Sequence, residues 1–142
     1  MSDAIEYLNP SRLAAPIGMY SQVSRSSGMP LVFVAGQVAM SGDGVFIGRA
    51  DFAAQLAQVL ENIQLALQGA GATWASVLRL TTYLVNLDDF AKFRAIRSSY
   101  FEKVLGTGPY PPHTLLVVQA LSAPEHLVEM DCIASVAPTH DG

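Results

Sequence analysis

Apolar residues recur with two rhythms along this chain. Leu31-Val32-Phe33-Val34-Ala35-Gly36 is a compact β-branched and aromatic run, which predicts a strand. Residues 77–85 predict a second strand, although the adjacent Thr81 and Thr82 break its alternation. Two late runs, 114–121 and 127–136, predict two more, and the short connection carrying Pro124 predicts that they pair as a hairpin. A short first strand is expected at 18–23, ahead of the turn Ser26-Ser27-Gly28-Met29-Pro30. Ser41-Gly42-Asp43-Gly44 is another turn signal. Elsewhere the spacing becomes three and four. Phe52, Leu56, Val59, Leu60, Ile63 and Leu67 lay one apolar stripe along a helix. Asp51 is placed to cap its start or to sit in its first turn, and Gly69 and Gly71 to end it. A second helix, opened by Asp88-Asp89, has the stripe Phe90, Phe93, Ile96 or Arg97, Tyr100, Phe101 and Val104. It cannot continue through the proline- and glycine-rich residues 106–113. The ends, 1–10 and 137–142, are expected to be loose.

The order is therefore ββ, helix, β, helix, ββ. It predicts an α+β fold in which two helices cover one face of a single mixed sheet. All 142 residues fit one domain, 1–142. The opposite sheet face would then lie open in a lone chain. Composition sharpens this point. The chain is 51% hydrophobic and only 14% charged, against about 25% charged in a typical soluble domain. Covering the open face with further copies of the chain accounts for the deficit, and such oligomers are normally cyclic.

Charge and cysteine content narrow the function classes. The net charge is -4 with eight Lys plus Arg, a poor basis for wrapping a nucleic-acid backbone. A single cysteine, Cys132, cannot form an internal disulfide, so reducing cytoplasm is the expected compartment. No basic segment followed by an apolar run marks a secretory signal, and no stretch of about 18 uncharged apolar residues marks a membrane span.

Candidate chemistry is sparse. His113, His126 and His140 lack the spacing that puts ligands on one zinc, so no metal is expected. No glycine-rich phosphate loop or nucleophile elbow occurs, and no cofactor is expected. Cys132, in an apolar strand, reads as a small buried hydrophobe. Glu129 and Asp131 stand two apart and so point to one side of their strand. They are either solvated or placed at a subunit junction, where Glu129 would activate water. Arg79 is a candidate to pair with an acid, and Arg94 reads as solvated or salt-bridged. His113, in a loop at a strand entrance, is either a pocket wall or a bystander.

Several segments in order resemble one family. They are Ile17-Gly18-Met19-Tyr20-Ser21-Gln22, Phe33-Val34-Ala35-Gly36-Gln37, Gln55 with Asn62, and Ala70-Gly71-Ala72. The stretch from Thr81 to Phe90, then Tyr100-Phe101 and the strand holding Glu129, complete the set. Together they resemble the RidA family, also called YjgF/YER057c/UK114, of enamine and imine deaminases. The resemblance implies a chorismate-mutase-like fold and a homotrimer whose sheets face a central barrel. It also implies small-molecule pockets between subunits. In the family an arginine holds the carboxylate of a substrate such as 2-aminoacrylate. A glutamate, through water, then helps hydrolyse the imine to a ketoacid and ammonia.

By the same resemblance Glu129 matches that glutamate, Tyr20 the pocket tyrosine and Gly36 the pocket glycine. The family arginine falls at His113, in Pro111-Pro112-His113-Thr114, and Leu115 replaces a family cysteine. Arg94 falls where many members carry asparagine. The implied catalytic residues are Glu129 and His113, with Tyr20, Gly36, Arg94 and Thr114 binding substrate. Histidine cannot reproduce the two-pronged grip of a guanidinium on a carboxylate. Subgroups without the arginine generally lack the 2-aminoacrylate-type activity. Two readings therefore stay open. One is a hydrolase of a small imine or enamine, with His113 contacting substrate or relaying a proton. The other is a non-catalytic binding or regulatory trimer. A ribonuclease reading, a label many members carry, finds little physical support in an acidic chain with few cations.

Overall fold

The structure, a computed structural model, describes residues 5–136. Residues 1–4 of the first predicted loose end and residues 137–142, including His140, lie outside the described residues. Two short strands, β1 (Ile5–Leu8) and β2 (Val23–Ser26), pair antiparallel as a separate ribbon. The sequence reading had placed β1 in a loose end and β2 at 18–23. Residues 17–22 form bends instead, and Tyr20 N–H donates to the Gly18 carbonyl at 3.0 Å.

The main sheet contains β3 (Leu31–Gln37), β4 (Val77–Leu84), β5 (His113–Val117) and β6 (Val128–Ser135), in the order β3-β6-β4-β5. It is mixed, because β4 and β5 run parallel while β6 is antiparallel to both its neighbours. The expected hairpin of the last two strands is thus corrected: β4 lies between β5 and β6. A parallel pair needs a crossover, and the second helix supplies it between β4 and β5. β5 also stops at Val117, short of the expected 121, after which Val118 N–H donates to the Leu84 carbonyl.

The helices are α1 (Phe52–Gly69) and α2 (Phe90–Leu105). Asp51 caps α1 by accepting from Ala54 N–H at 3.1 Å, as the sequence predicts. Asn86 accepts from Asp88 N–H in the short turn leading into α2. The α1 stripe packs on the alternate residues Val128, Met130, Cys132 and Ala134 of β6. Phe93 and Phe101 carry α2 into the same core. Cys132 is a buried free thiol, with its pKa pushed up to about 12 by burial and then by Asp131.

One polar residue sits fully buried in the α1 stripe. Gln55 Nε2 donates to the carbonyls of Gly48 (3.0 Å) and Glu125 (2.9 Å), and its Oε1 accepts from Leu127 N–H at 2.8 Å. It therefore ties the start of α1 to the chain entering β6. Asn62 similarly donates to the Val38 and Met40 carbonyls and holds the segment after β3.

Candidate functional site

Sheet parity decides where each candidate points. In the register Leu80 lies beside both His113 and Cys132, so all three share the helix-covered face. Tyr83 lies beside both Glu129 and Leu116, and Thr81 beside both Thr114 and Asp131, so these share the other face. Glu129 and His113 therefore project to opposite sides of one sheet.

On the helix side, a cavity of about 310 Å³ opens between α2, β5 and the bend at 17–20. Tyr20, Arg94 and His113 line it, with Phe90 and Leu115 as apolar walls. Ser21 Oγ donates to the Tyr110 carbonyl at 2.6 Å, which pins the Tyr20 segment to the loop before His113. Arg94, one turn into α2, reaches this lining with its guanidinium 5.8 Å from the Phe90 ring.

The same cavity is lined by a residue the sequence reading did not assign, Arg97. Its side chain is buried, at 7% exposure, and passes between Phe93 and Phe101, whose ring centres lie 5.5 and 6.0 Å from the guanidinium carbon. Nη1 donates to His113 Nδ1 at 3.0 Å, and Nε is buried without a partner. Nη2 faces the Ile17-Gly18 bend, where a Cβ on Gly18 would stand 3.7 Å away. Among the described residues no carboxylate pairs with Arg97 or Arg94, and none lines the cavity. The signal was present in the sequence. Position 97 falls four after Phe93 and four before Phe101, so an arginine stood on the apolar stripe.

This geometry fixes the state of His113. Because Nδ1 accepts from Arg97, the ring proton sits on Nε2, which donates to Thr82 Oγ1 at 2.8 Å. Burial, and then the Arg97 charge, hold its pKa down to about 4. At neutral pH the ring is uncharged and both its nitrogens are engaged. That suits orienting Arg97 better than the proton relay that is one of the two roles expected from the sequence, the other being contact with substrate. Burial and then Arg94 also lower the pKa of Arg97, yet a guanidinium remains protonated.

On the other face, the Glu129 carboxylate lies directly against Gly36, where any Cβ would collide with it. Glycine at 36 is thus required by the close approach, and the register of β3 and β6 shifts there, between Val34 and Gln37. Asp131 accepts from Tyr83 O–H at 2.8 Å. Among the described residues Arg79 has no acidic partner; Nη2 reaches Thr114 Oγ1 at 3.5 Å, the outer limit of a hydrogen bond. Around these polar groups Leu31, Phe33 and Leu116 are exposed, Phe33 at 72%. Thus Tyr20, Arg94 and His113 come together in one cavity, while Glu129 and Gly36 form a second group. Thr114 lies on the second face, though it borders a smaller hollow of about 220 Å³ beside Tyr20 and His113. Among the described residues no cluster of His, Cys, Asp and Glu fits a metal ion, and no helix is long and apolar enough to cross a membrane.

Known proteins are similar to this chain in sequence and fold. Residues 11–136 match the family model described as Endoribonuclease L-PSP. A RutC family protein from Synechocystis is 33% identical over 136 residues, 95% of this chain and 98% of its own. A 2-iminobutanoate/2-iminopropanoate deaminase from Rattus norvegicus is 28% identical, with 92% and 90% covered. Among solved structures, the Rid family protein YyfB from Yersinia pestis, of unknown function, superposes with a TM-score of 0.83 at 31% identity. That match covers 94% of this chain and all of that one.

Proposed function

The chain belongs to the YjgF/RidA family, and on that premise we propose that it assembles as a homotrimer and hydrolyses a small imine or enamine in cavities shared between subunits. The observation that carries this reading is the division of the candidate residues between the two faces of the sheet. A neighbouring copy docked on the face bearing Phe33 and Leu31 would bury that apolar surface. It would also bring its Gly36-cradled Glu129 towards the cavity of the adjoining chain.

The chemistry asks little beyond these parts. Water adds to the imine carbon while Glu129 accepts its proton and returns it to the imine nitrogen. The resulting carbinolamine then loses ammonia and leaves a carbonyl. The cations would hold the substrate, and the apolar walls would keep bulk water from competing. The name of the rat relative supports an imine substrate. The neutral His113 and the absence of acid in the cavity itself favour a second reading, in which the trimer binds a metabolite without turning it over.

The deciding experiment generates imines in situ with an amino-acid oxidase and follows ketoacid release above the uncatalysed rate. The expected outcome is acceleration that Glu129→Gln lowers at least about 100-fold. Light scattering of the variant should still give three times the 15.1 kDa of one chain. Tight metabolite binding with no acceleration selects the second reading.

A further inference from the structure

Among the described residues of one chain, the cavity beside β5 is lined by two positive charges and no negative one, and in the proposed trimer a single neighbouring Glu129 would balance only one of them. Arg94 and Arg97 are three apart on α2 and so share a helix face. One of them is more than nine-tenths buried, with Nε unpartnered. Removing a guanidinium from water costs several kcal/mol unless something repays it. Two π faces and one neutral nitrogen repay only part, and Arg94 adds repulsion. A fold selected for stability alone would place an aliphatic side chain at 97. An anionic ligand supplies what is missing, because its charge would be held in a cavity walled by Phe90 and Leu115.

We propose that this cavity is a site for a small dianion, a dicarboxylate or a phosphomonoester, with Arg97 gripping one anionic group and the more exposed Arg94 reading the second. His113 is a positioning residue that turns the Arg97 fork towards the ligand. The volume of about 310 Å³ accommodates such a metabolite but not a nucleotide chain. This inference rests on the same cavity as the proposed hydrolysis. It does not rest on turnover, so binding measurements and rate measurements can fail separately.

The test is calorimetric titration of the full-length protein with two stable 2-oxo acids of equal carbon count, 2-oxoglutarate and 2-oxopentanoate, and with inorganic phosphate. The dianion 2-oxoglutarate should bind at least about tenfold more tightly than 2-oxopentanoate. Arg94→Ala should erase that preference. Arg97→Met should lose both ligands without lowering the melting temperature, a combination that a merely structural arginine would not give. Arg97→Lys should recover part of the affinity. Phosphate competing more tightly than 2-oxoglutarate would identify the dianion as a phosphomonoester. The inference is overturned if 2-oxopentanoate binds as tightly as 2-oxoglutarate, if Arg97→Met binds like the wild type, or if none of the three anions binds.

Discussion

Each helix buries one polar side chain on its apolar stripe, and the two are opposites. Gln55 of α1 is uncharged and matched on both its nitrogen and its oxygen to three backbone groups, of which the Gly48 carbonyl also accepts from Asp51 N–H. Arg97 of α2 is charged, faces a neutral imidazole, and leaves Nε unpartnered. Burial alone does not separate them, since both are buried. Satisfaction does. A matched buried polar group holds the fold together, whereas a mismatched one lining a cavity is a cost that a ligand can offset.

The largest expected effect follows from the matched side. Gln55→Leu keeps the bulk but strands the Glu125 carbonyl and Leu127 N–H. Urea unfolding should show a loss of about 3 kcal/mol. A loss under about 1 kcal/mol would mean that these groups find water, and the contrast would dissolve. On the mismatched side the sign should reverse. Arg97→Met should leave stability unchanged or raise it by about 1 kcal/mol, because a buried charge is exchanged for an apolar chain. Marked destabilisation would make Arg97 a structural residue like Gln55.

A smaller effect concerns the partner of Arg97. The His113 pKa is about 4 in the fold and about 6.5 when unfolded. Between these values the unfolded chain binds the extra proton, so His113 lowers stability as pH falls from about 6.5 to about 4. Above 6.5 its contribution is constant. In His113→Asn that component is absent. The wild type's stability relative to the variant should therefore fall across this window, read from urea midpoints at pH 7.5, 6 and 4.5. A difference that stays constant with pH would show that His113 is not held neutral by its surroundings.

Local patterning made much of the fold legible. The α1 stripe, the Asp51 cap, the strands at 31 and 77, and the pairing of Glu129 with Asp131 on one side all follow from period and turn chemistry, which act between neighbours in sequence. Strand order did not. Nothing local in residues 113–117 says that they join β4 in parallel instead of folding back on β6. That choice depends on the α2 crossover and on which edge is free. The β1–β2 ribbon was missed for a related reason: Ile5–Leu8 is too short to show a period and gains its structure from its pairing with Val23–Ser26.

The site divides along the same line. His113, Tyr20 and Arg94 were named from the chain and resemblance, and all three reach one cavity. Arg97 was visible only as an oddity at a stripe position, since a sequence shows spacing but not what lies opposite. By itself the sequence determined the two helices and the strands of the main sheet, the apolar surplus and the loss of arginine at 113. Only the tertiary structure decided that a different arginine fills the space beside that histidine, and that Glu129 faces the other way. Both outcomes come from packing and sheet parity, which are set by contacts between residues far apart in the chain.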